Sequence, residues 1–536
     1  MTRDNVELAL QNVIAFGDTD IFPYPIENYI FFDKKVEVAD LLLRIDSGFE
    51  EYLKNIPPIN LSTCAPVGQT GFRWATQIDP LWNVYFLALV VSIGSDIEAS
   101  RIPETEKRVF SYRFAPNKST GAMFRDDVNW RAFQNRSLEI AQLESVKYVV
   151  ICDIADFYTR IYHHRLENAL DRVTSNKNDV RRIMKLLQVF SGTVSYGLPI
   201  GGPAARLLAE LALDGIDRIL GLNRISFCRF VDDFHLFAKT REEAQRMLTQ
   251  ISVKLLKNEG LSLSKSKTQI LTVGEFRNLT KARLEGDSED KGHKERARFS
   301  ALHIFYDPYS PTANADYGNL KRELSTFDIV GLLNEELRKS RINQHFGRQL
   351  LKALDALEGH ILASAIRSIM ARIELFYPVF PSTMIAISKS RNRTDVQVQS
   401  EIDRCLRSLV ENDSYMIQVE LNAAYLTRIL ALERTVENEQ TLLFLYERFN
   451  DSVLVRSLII QAFARWRSFA WLSDLKSNFG TMTRWERRIF IIASYVLGDE
   501  GRHWRDHHKG DFTMFEALIA NWASERFKIP GWQIPL

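Results

Sequence analysis

Two adjacent carboxylates, Asp232 and Asp233, sit between Phe230-Val231 and Phe234, and a third, Asp153, ends the apolar run that begins at Val146. Carboxylates set among hydrophobic residues are costly unless a cation neutralises them. Aspartate oxygens are the ligands a hard divalent ion such as Mg2+ takes. Two such ions close together stabilise both the attacking and the leaving oxygen when a phosphoryl group is displaced. An Asp pair alone is often no more than a surface turn. Joined by a strand-end aspartate, these residue types point to metal-assisted nucleotidyl transfer.

That chemistry needs elements that bring distant aspartates together with little freedom. The run from Val146 to Ile154 reads as a buried strand ending at Asp153. Ile225 to Phe237 reads as two short strands around a tight Asp-Asp turn. Arg206 to Leu220 is expected to be helical, since Leu207, Leu208, Leu211 and Gly215 keep a three-to-four spacing. Arg241 to Glu259 reads as an amphipathic helix stopped by Gly260, and Leu261-Ser262-Leu263 then alternates like a strand.

The remaining chain bounds the answer. Its 536 residues exceed one core, so two or three domains are expected. A formal net charge of +2 makes any basic groove for nucleic acid a local one. No apolar run reaches the roughly 18–20 residues of a membrane span, and Val84 to Ile93 suits a buried helix. Met1-Thr2-Arg3-Asp4-Asn5 opens no secretory leader. Cys64, Cys152, Cys228 and Cys405 are scattered without CxxC spacing, which fits a reducing cytoplasm.

Residues 1–60 mix strand-like and helical pieces, with Ile21-Phe22-Pro23-Tyr24-Pro25 extended by its prolines. From 276 to 320 the chain reads as a connector, charged and apolar-poor from Arg283 to Arg298. From 321 to 536 it reads as helical and repeat-like. Val455, Leu458, Ile459, Ala462 and Phe463 fall on one helix face, and Leu350, Leu351, Leu354 and Leu357 do so similarly. The expected class is α+β: a mixed domain over 1–275, the connector, then an all-α domain.

Four segments in order carry a resemblance. They are Asp153-Ile154-Ala155-Asp156-Phe157-Tyr158, then Gly197-Leu198-Pro199-Ile200-Gly201-Gly202-Pro203, then Phe230-Val231-Asp232-Asp233, then Gly260 to Thr268. Together they resemble motifs A to D of reverse transcriptases, and the likeness covers fingers and palm over about 60–275. It implies that Asp153 and Asp232, with the Ile154 backbone, hold the metal ions while Asp233 supports them. It implies that Phe157, Tyr158, Gly197 and Pro199 form the dNTP site, Tyr158 favouring dNTP over NTP. Arg73 would hold the triphosphate, and Lys267 would protonate pyrophosphate as a general acid.

The pattern also departs from an ordinary reverse transcriptase. Ser195 and Tyr196 stand before Gly197 where a template-holding Gln is usual. No recognisable thumb, RNase H set or maturase zinc finger follows. With Asp18-Thr19-Asp20-Ile21-Phe22-Pro23 and the helical second half, the chain is similar to the bacterial abortive-infection (Abi) reverse transcriptases, the AbiK-like group and its prophage-encoded type in particular. That resemblance implies antiphage defence in the bacterial cytoplasm, a homo-oligomer, and untemplated DNA synthesis with Mg2+ or Mn2+. The single-stranded DNA product would stay covalently attached to a protein hydroxyl. Tyr24 is the first candidate for that hydroxyl, followed by Tyr29 and Tyr112.

Two alternatives stand beside it: a template-directed RNA-dependent DNA polymerase, and a non-catalytic palm-fold scaffold or phage sensor. Other groups read more plainly. His503, His507 and His508 suit a solvated helix face, His163-His164 suit a helix surface, and Trp466, Trp471, Trp485 and Trp504 suit a helical core.

Overall fold

The computed structural model of the chain describes residues 1–17, 21–285, 299, 324 and 327–536. These divide into two compact units. One takes Met1–Asp20, Leu42–Asn60 and Gln77–Ala301; the other takes Ile21–Leu41, Leu61–Thr76 and Leu302–Leu536. The sequence pattern treats 1–275 as one stretch, yet the segments 21–41 and 61–76 pack with the helical C-terminal unit.

Six strands are present among the described residues: β1 (Leu61–Val67), β2 (Gly71–Gln77), β3 (Tyr148–Asp153), β4 (Ser226–Phe230), β5 (Asp233–Ala238) and β6 (Gln269–Thr272). β1 and β2 form a separate two-stranded sheet. In the first unit the order is β4-β5-β3-β6, and every pair is antiparallel. β3 and β5 are buried along nearly their whole length, because helices cover both faces of the sheet. That is why β3 reads as a continuous apolar run rather than an alternating one. On one face Val149, Ile151, Cys228 and Phe237 pack with Phe110, Phe133, Ile140 and Phe276.

Local signals set the flanking helices. Pro203 opens the helix Pro203–Leu222 at its first turn, where a missing N–H costs nothing. Thr240 caps Arg241–Lys254 by accepting from the Glu243 N–H. The expected stop at Gly260 is present: its φ of +69° is left-handed, after a widened turn over Leu255–Glu259. The helix over Pro80–Ser92 is almost wholly buried, and no single described helix is long and apolar enough to cross a membrane.

Three expectations need correction. Residues 1–60 contain no strand among those described; Arg3–Phe16, Glu27–Asp33, Lys35–Ser47 and Phe49–Asn55 are helices. Leu261-Ser262-Leu263 supplies only a bridge from Leu263 to Ile154, and the fourth strand forms later at Gln269–Thr272. The start of the expected connector is helical, within Val273–Glu285. The rest of its charged run, and Asp18-Thr19-Asp20, lie outside the described residues.

In the second unit one row of helices packs in succession: Phe380–Arg391, Glu420–Leu430, Val453–Arg465, Arg484–Ala493 and Met514–Arg526. The apolar stripe from Val455 to Phe463 lies in the middle of that row. Segment 21–41 joins it through Trp522, whose Nε1 donates to Asp33 at 2.6 Å, and through the buried Arg488–Glu27 pair at 3.3 Å. Trp485 and Trp504 are buried, and Trp466 and Trp471 partly so, as a helical core requires.

Gly260 is a position where a side chain is poorly tolerated. A Cβ there would lie 2.5 Å from the Tyr162 ring, in a left-handed backbone. Gly260→Ala is expected to cost about 1–2 kcal/mol, the usual penalty of that backbone for a non-glycine residue. A lower denaturant midpoint at unchanged slope would show it.

Candidate active site

The β3–β5 register places Asp153 opposite Asp233, and the β4–β5 turn carries Asp232 beside them. One oxygen from each carboxylate lies within 4.8 Å of the other two. Backbone bonds fix the approach. Ile154 N–H donates to the Asp232 carbonyl at 3.2 Å, Ala155 N–H to the Ser262 carbonyl at 2.8 Å, and Ser264 N–H to the Asp153 carbonyl at 2.7 Å. Those bonds also bring the 262–268 segment to the aspartates, so Lys267 Nζ donates to Asp153 Oδ1 at 3.0 Å.

The electrostatics are those of a site awaiting positive charge. Burial, and then the neighbouring Asp153, push the Asp232 carboxyl up to about 6. Burial lowers Lys267, but its hydrogen bond and charge contact with Asp153 prevail and hold its ammonium above the ordinary range. Because the Lys267 side chain is 66% exposed, this pair is not locked by packing and adds little stability. The converging donors are all oxygens, which fits a hard divalent ion, and such an ion would relieve both the burial of the Asp232 charge and its repulsion by Asp153. When bound, it would lower the barrier by neutralising charge on phosphate oxygens.

The residues expected to bind dNTP meet at one edge of the site. Phe157 is buried, and the partly buried Tyr158 follows it on the short helix Phe157–Arg160. Burial, then Tyr112, Glu210 and Asp232, push the Tyr158 hydroxyl well above its ordinary range. The 195–198 segment is tied to the same stretch. His163 N–H donates to the Ser195 carbonyl at 3.0 Å, Gly197 N–H to Ile161 at 2.9 Å, and Leu198 N–H to Tyr158 at 2.8 Å. Gly197, at φ +97°, turns the chain there, and Pro199 follows.

His163 corrects an expectation. His164 is exposed, but His163 is buried and its Nε2 lies 2.8 Å from the Gly197 carbonyl. Its partner is thirty-four positions away in sequence, so periodicity gave no sign of it. Arg206 was also passed over; its guanidinium lies 5.3 Å from the Tyr112 ring centre. So were Ser111, Glu210, Asp217 and Arg229, which lie behind the Asp232 turn. Their one sequence signal is charge within apolar runs: Arg229 in a strand, Glu210 and Asp217 on the helix Pro203–Leu222.

Arg73, Tyr24 and Tyr29 are not among the residues the first unit brings together. Arg73 is exposed on β2, and Tyr24 and Tyr29 meet edge to face with ring centres 5.5 Å apart, all in the second unit. Tyr112 belongs to the first unit, with its ring centre 6.5 Å from that of Phe230. The three histidines near 505 sit on the helix Gly498–His508. Among the described residues the aspartate triad is the only three-ligand group able to hold a metal.

Residues 104–303 match the family model described as "Reverse transcriptase (RNA-dependent DNA polymerase)". The chain carries a reverse transcriptase domain. It is therefore a nucleotidyltransferase, with nucleotides as substrates and nucleic acid as product; such domains generally use divalent metal, and the aspartate triad could bind one. Among solved structures, telomerase from Candida albicans in complex with a fragment of telomeric RNA shares 11% identity. That match covers 72% of this chain and 70% of that one, at a TM-score of 0.31. Apo telomerase from Candida tropicalis also shares 11% identity, covering 78% of this chain and 72% of that one, at a TM-score of 0.33. No curated protein matches the chain.

The raised Asp232 carboxyl has a measurable consequence. A divalent ion needs the ionised form, so it competes with the proton on Asp232. Below a pH of about 6 its apparent affinity should fall about tenfold per unit, one proton being displaced, and should level off above it. Calorimetric titration of the metal-free protein across pH 5 to 8 measures this directly.

Proposed function

We propose that this reverse transcriptase is an antiphage abortive-infection polymerase that makes DNA from dNTPs without a template and starts it on one of its own hydroxyls. The observation that carries this reading is the segment before Gly197. Ser195 and Tyr196 occupy it, tied by backbone bonds to His163 and Tyr162, and no amide side chain stands there to grip a template. Asp153 and Asp232, with the Ile154 carbonyl, would hold Mg2+, and Mn2+ as a substitute. A homo-oligomer in the bacterial cytoplasm belongs to the same reading.

In this mechanism a hydroxyl oxygen bonds to the α-phosphorus of a dNTP as the bond to pyrophosphate breaks. The hydroxyl gives up its proton to solvent water, and Lys267, held protonated beside Asp153, gives one to the departing pyrophosphate and regains one from solvent. Tyr158 closes the sugar site against a 2′-hydroxyl, and Gly197 and Pro199 line it. Arg73 would grip the triphosphate. Among the named hydroxyls Tyr112 stands first for priming, since it shares the first unit with the triad, its ring centre lies 6.5 Å from that of Phe230, and its hydroxyl is near enough to Tyr158 to raise the pKa of that group. Tyr24 and Tyr29 follow it.

A second reading, templated synthesis on RNA, is favoured by the description of the matching family itself. One experiment separates the two. Purified protein is given single dNTPs without nucleic acid, and the protein is weighed before and after. Incorporation onto the protein is expected; strict dependence on added RNA would replace the proposal with the second reading. Asp232→Asn with Asp233→Asn should reduce incorporation by more than about a hundredfold, since losing ligands exceeds the cost of losing a metal's outer partners. Tyr112→Phe should remove the covalent adduct while leaving extension of a supplied DNA 3′ end intact. Undiminished adducts in Tyr112→Phe would return the assignment to Tyr24 or Tyr29.

A further inference from the structure

The turn that presents Asp232 is strained. Val231 has a φ of +55°, a left-handed conformation that a β-branched residue adopts only when its surroundings force it. Both sides of this residue are gripped. Its N–H donates to Ser111 Oγ at 3.0 Å, and its carbonyl accepts from an Arg229 guanidinium N–H at 2.8 Å. Neither partner is free to yield. The Ser111 hydroxyl donates to Glu210 Oε1 at 2.6 Å. Arg229 donates to Glu210 Oε2 at 2.9 Å and to both oxygens of Asp217, at 2.8 and 2.6 Å. Arg101 completes the ring, donating to Glu210 Oε2 at 2.6 Å and to the Ser111 carbonyl at 2.7 Å.

All five side chains are buried, with Arg229 and Ser111 fully so. A buried ion network is weak evidence of stability, because removing charges from water offsets most of what their attraction returns. Apolar residues would fill this space at no such cost. What the network does that apolar residues cannot is to supply one acceptor and one donor, each rigidly aimed, to the two peptide groups that flank a single residue. That residue, Val231, immediately precedes Asp232, whose carboxylate must stay within 4.8 Å of Asp153 despite their repulsion.

We propose that Ser111 and Arg229, set by Glu210, Asp217 and Arg101, are positioning residues for nucleotidyl transfer: they hold Val231 in the strained turn that aims Asp232 at the metal site. The role depends on nucleotidyl transfer alone, whichever hydroxyl or strand is extended, so failure of the untemplated reading leaves it standing.

The test uses the full chain with Ser111→Ala, Ser111→Thr and Ser111→Cys. Incorporation is assayed in whichever regime supports the parent, and Mn2+ alone is titrated by electron paramagnetic resonance. Folding is checked by circular dichroism. Ser111→Ala is expected to lower kcat and Mn2+ affinity about 10- to 100-fold, the range seen when a metal's outer partners are lost, while the dNTP KM moves less than about threefold. Amide exchange in the 229–233 segment should quicken. Ser111→Thr, which keeps the hydroxyl, should restore all three readings.

If Ser111→Ala does not fold, Ser111→Cys decides by the same criteria, since sulfur keeps the volume but is a weak acceptor. A folded variant with parental kcat and Mn2+ affinity overturns the proposal. So does a loss that Ser111→Thr fails to restore, or one confined to thermal stability.

Discussion

Three carboxylates held within 4.8 Å repel one another, and the first unit is arranged around keeping them there. Burial and repulsion together move a pKa by units in such a site, and the Asp232 carboxyl, pushed up to about 6 by burial and then by Asp153, records both. Flexible loops would relax such a cluster outward. Here Asp153 ends a central strand, Asp233 begins its neighbour, and Asp232 sits in the turn between two strands. Their separation is therefore set by sheet spacing, which a few kcal/mol of charge repulsion does not change. Lys267 supplies partial relief, and a divalent ion would supply the rest.

Holding the turn needs more than strand pairing. Val231 is strained, and a strained residue persists only where its neighbours over-determine it. The ring of Ser111, Arg229, Glu210, Asp217 and Arg101 does so from behind, out of water, where hydrogen bonds are most directional and least exchangeable. Phe110 N–H on the Arg229 carbonyl, at 2.9 Å, and Arg229 N–H on the Arg108 carbonyl, at 2.8 Å, fasten the same strand edge. The 195–199 loop is held by the same logic at smaller scale, with His163 gripping the Gly197 carbonyl beside a left-handed glycine.

The second unit is built differently. Its helices bury apolar stripes against the next helix in the row, and polar ties close the turns between them. Arg391 bonds both oxygens of Asp403, at 2.5 and 3.0 Å, and Asn438 donates to the same carboxylate at 3.1 Å. Two N-terminal segments complete this unit. Phe31 stacks on Phe515 at 5.9 Å, and the Tyr425 hydroxyl donates to the Ile21 carbonyl at 3.0 Å. Sequence order is thus a poor guide to which residues share a core.

By itself the sequence determined what is local. The apolar run to Asp153, the Asp-Asp turn, the helix opened by Pro203 and the stop at Gly260 follow from periodicity, proline and glycine geometry acting within a few residues. The triad's fitness to hold a cation follows as well, because carboxylates among apolar residues are costly without a neutralising charge. Tertiary structure alone decided the rest. It placed Arg73 and Tyr24 in the second unit, put the fourth strand at Gln269–Thr272 rather than Leu261–Leu263, and turned His163 from surface to loop anchor. It also gathered Ser111, Glu210, Asp217 and Arg229 behind Val231. The physical reason is range: those outcomes depend on hydrogen bonds and buried charges between residues tens to hundreds of positions apart, and no local pattern records a partner that distant.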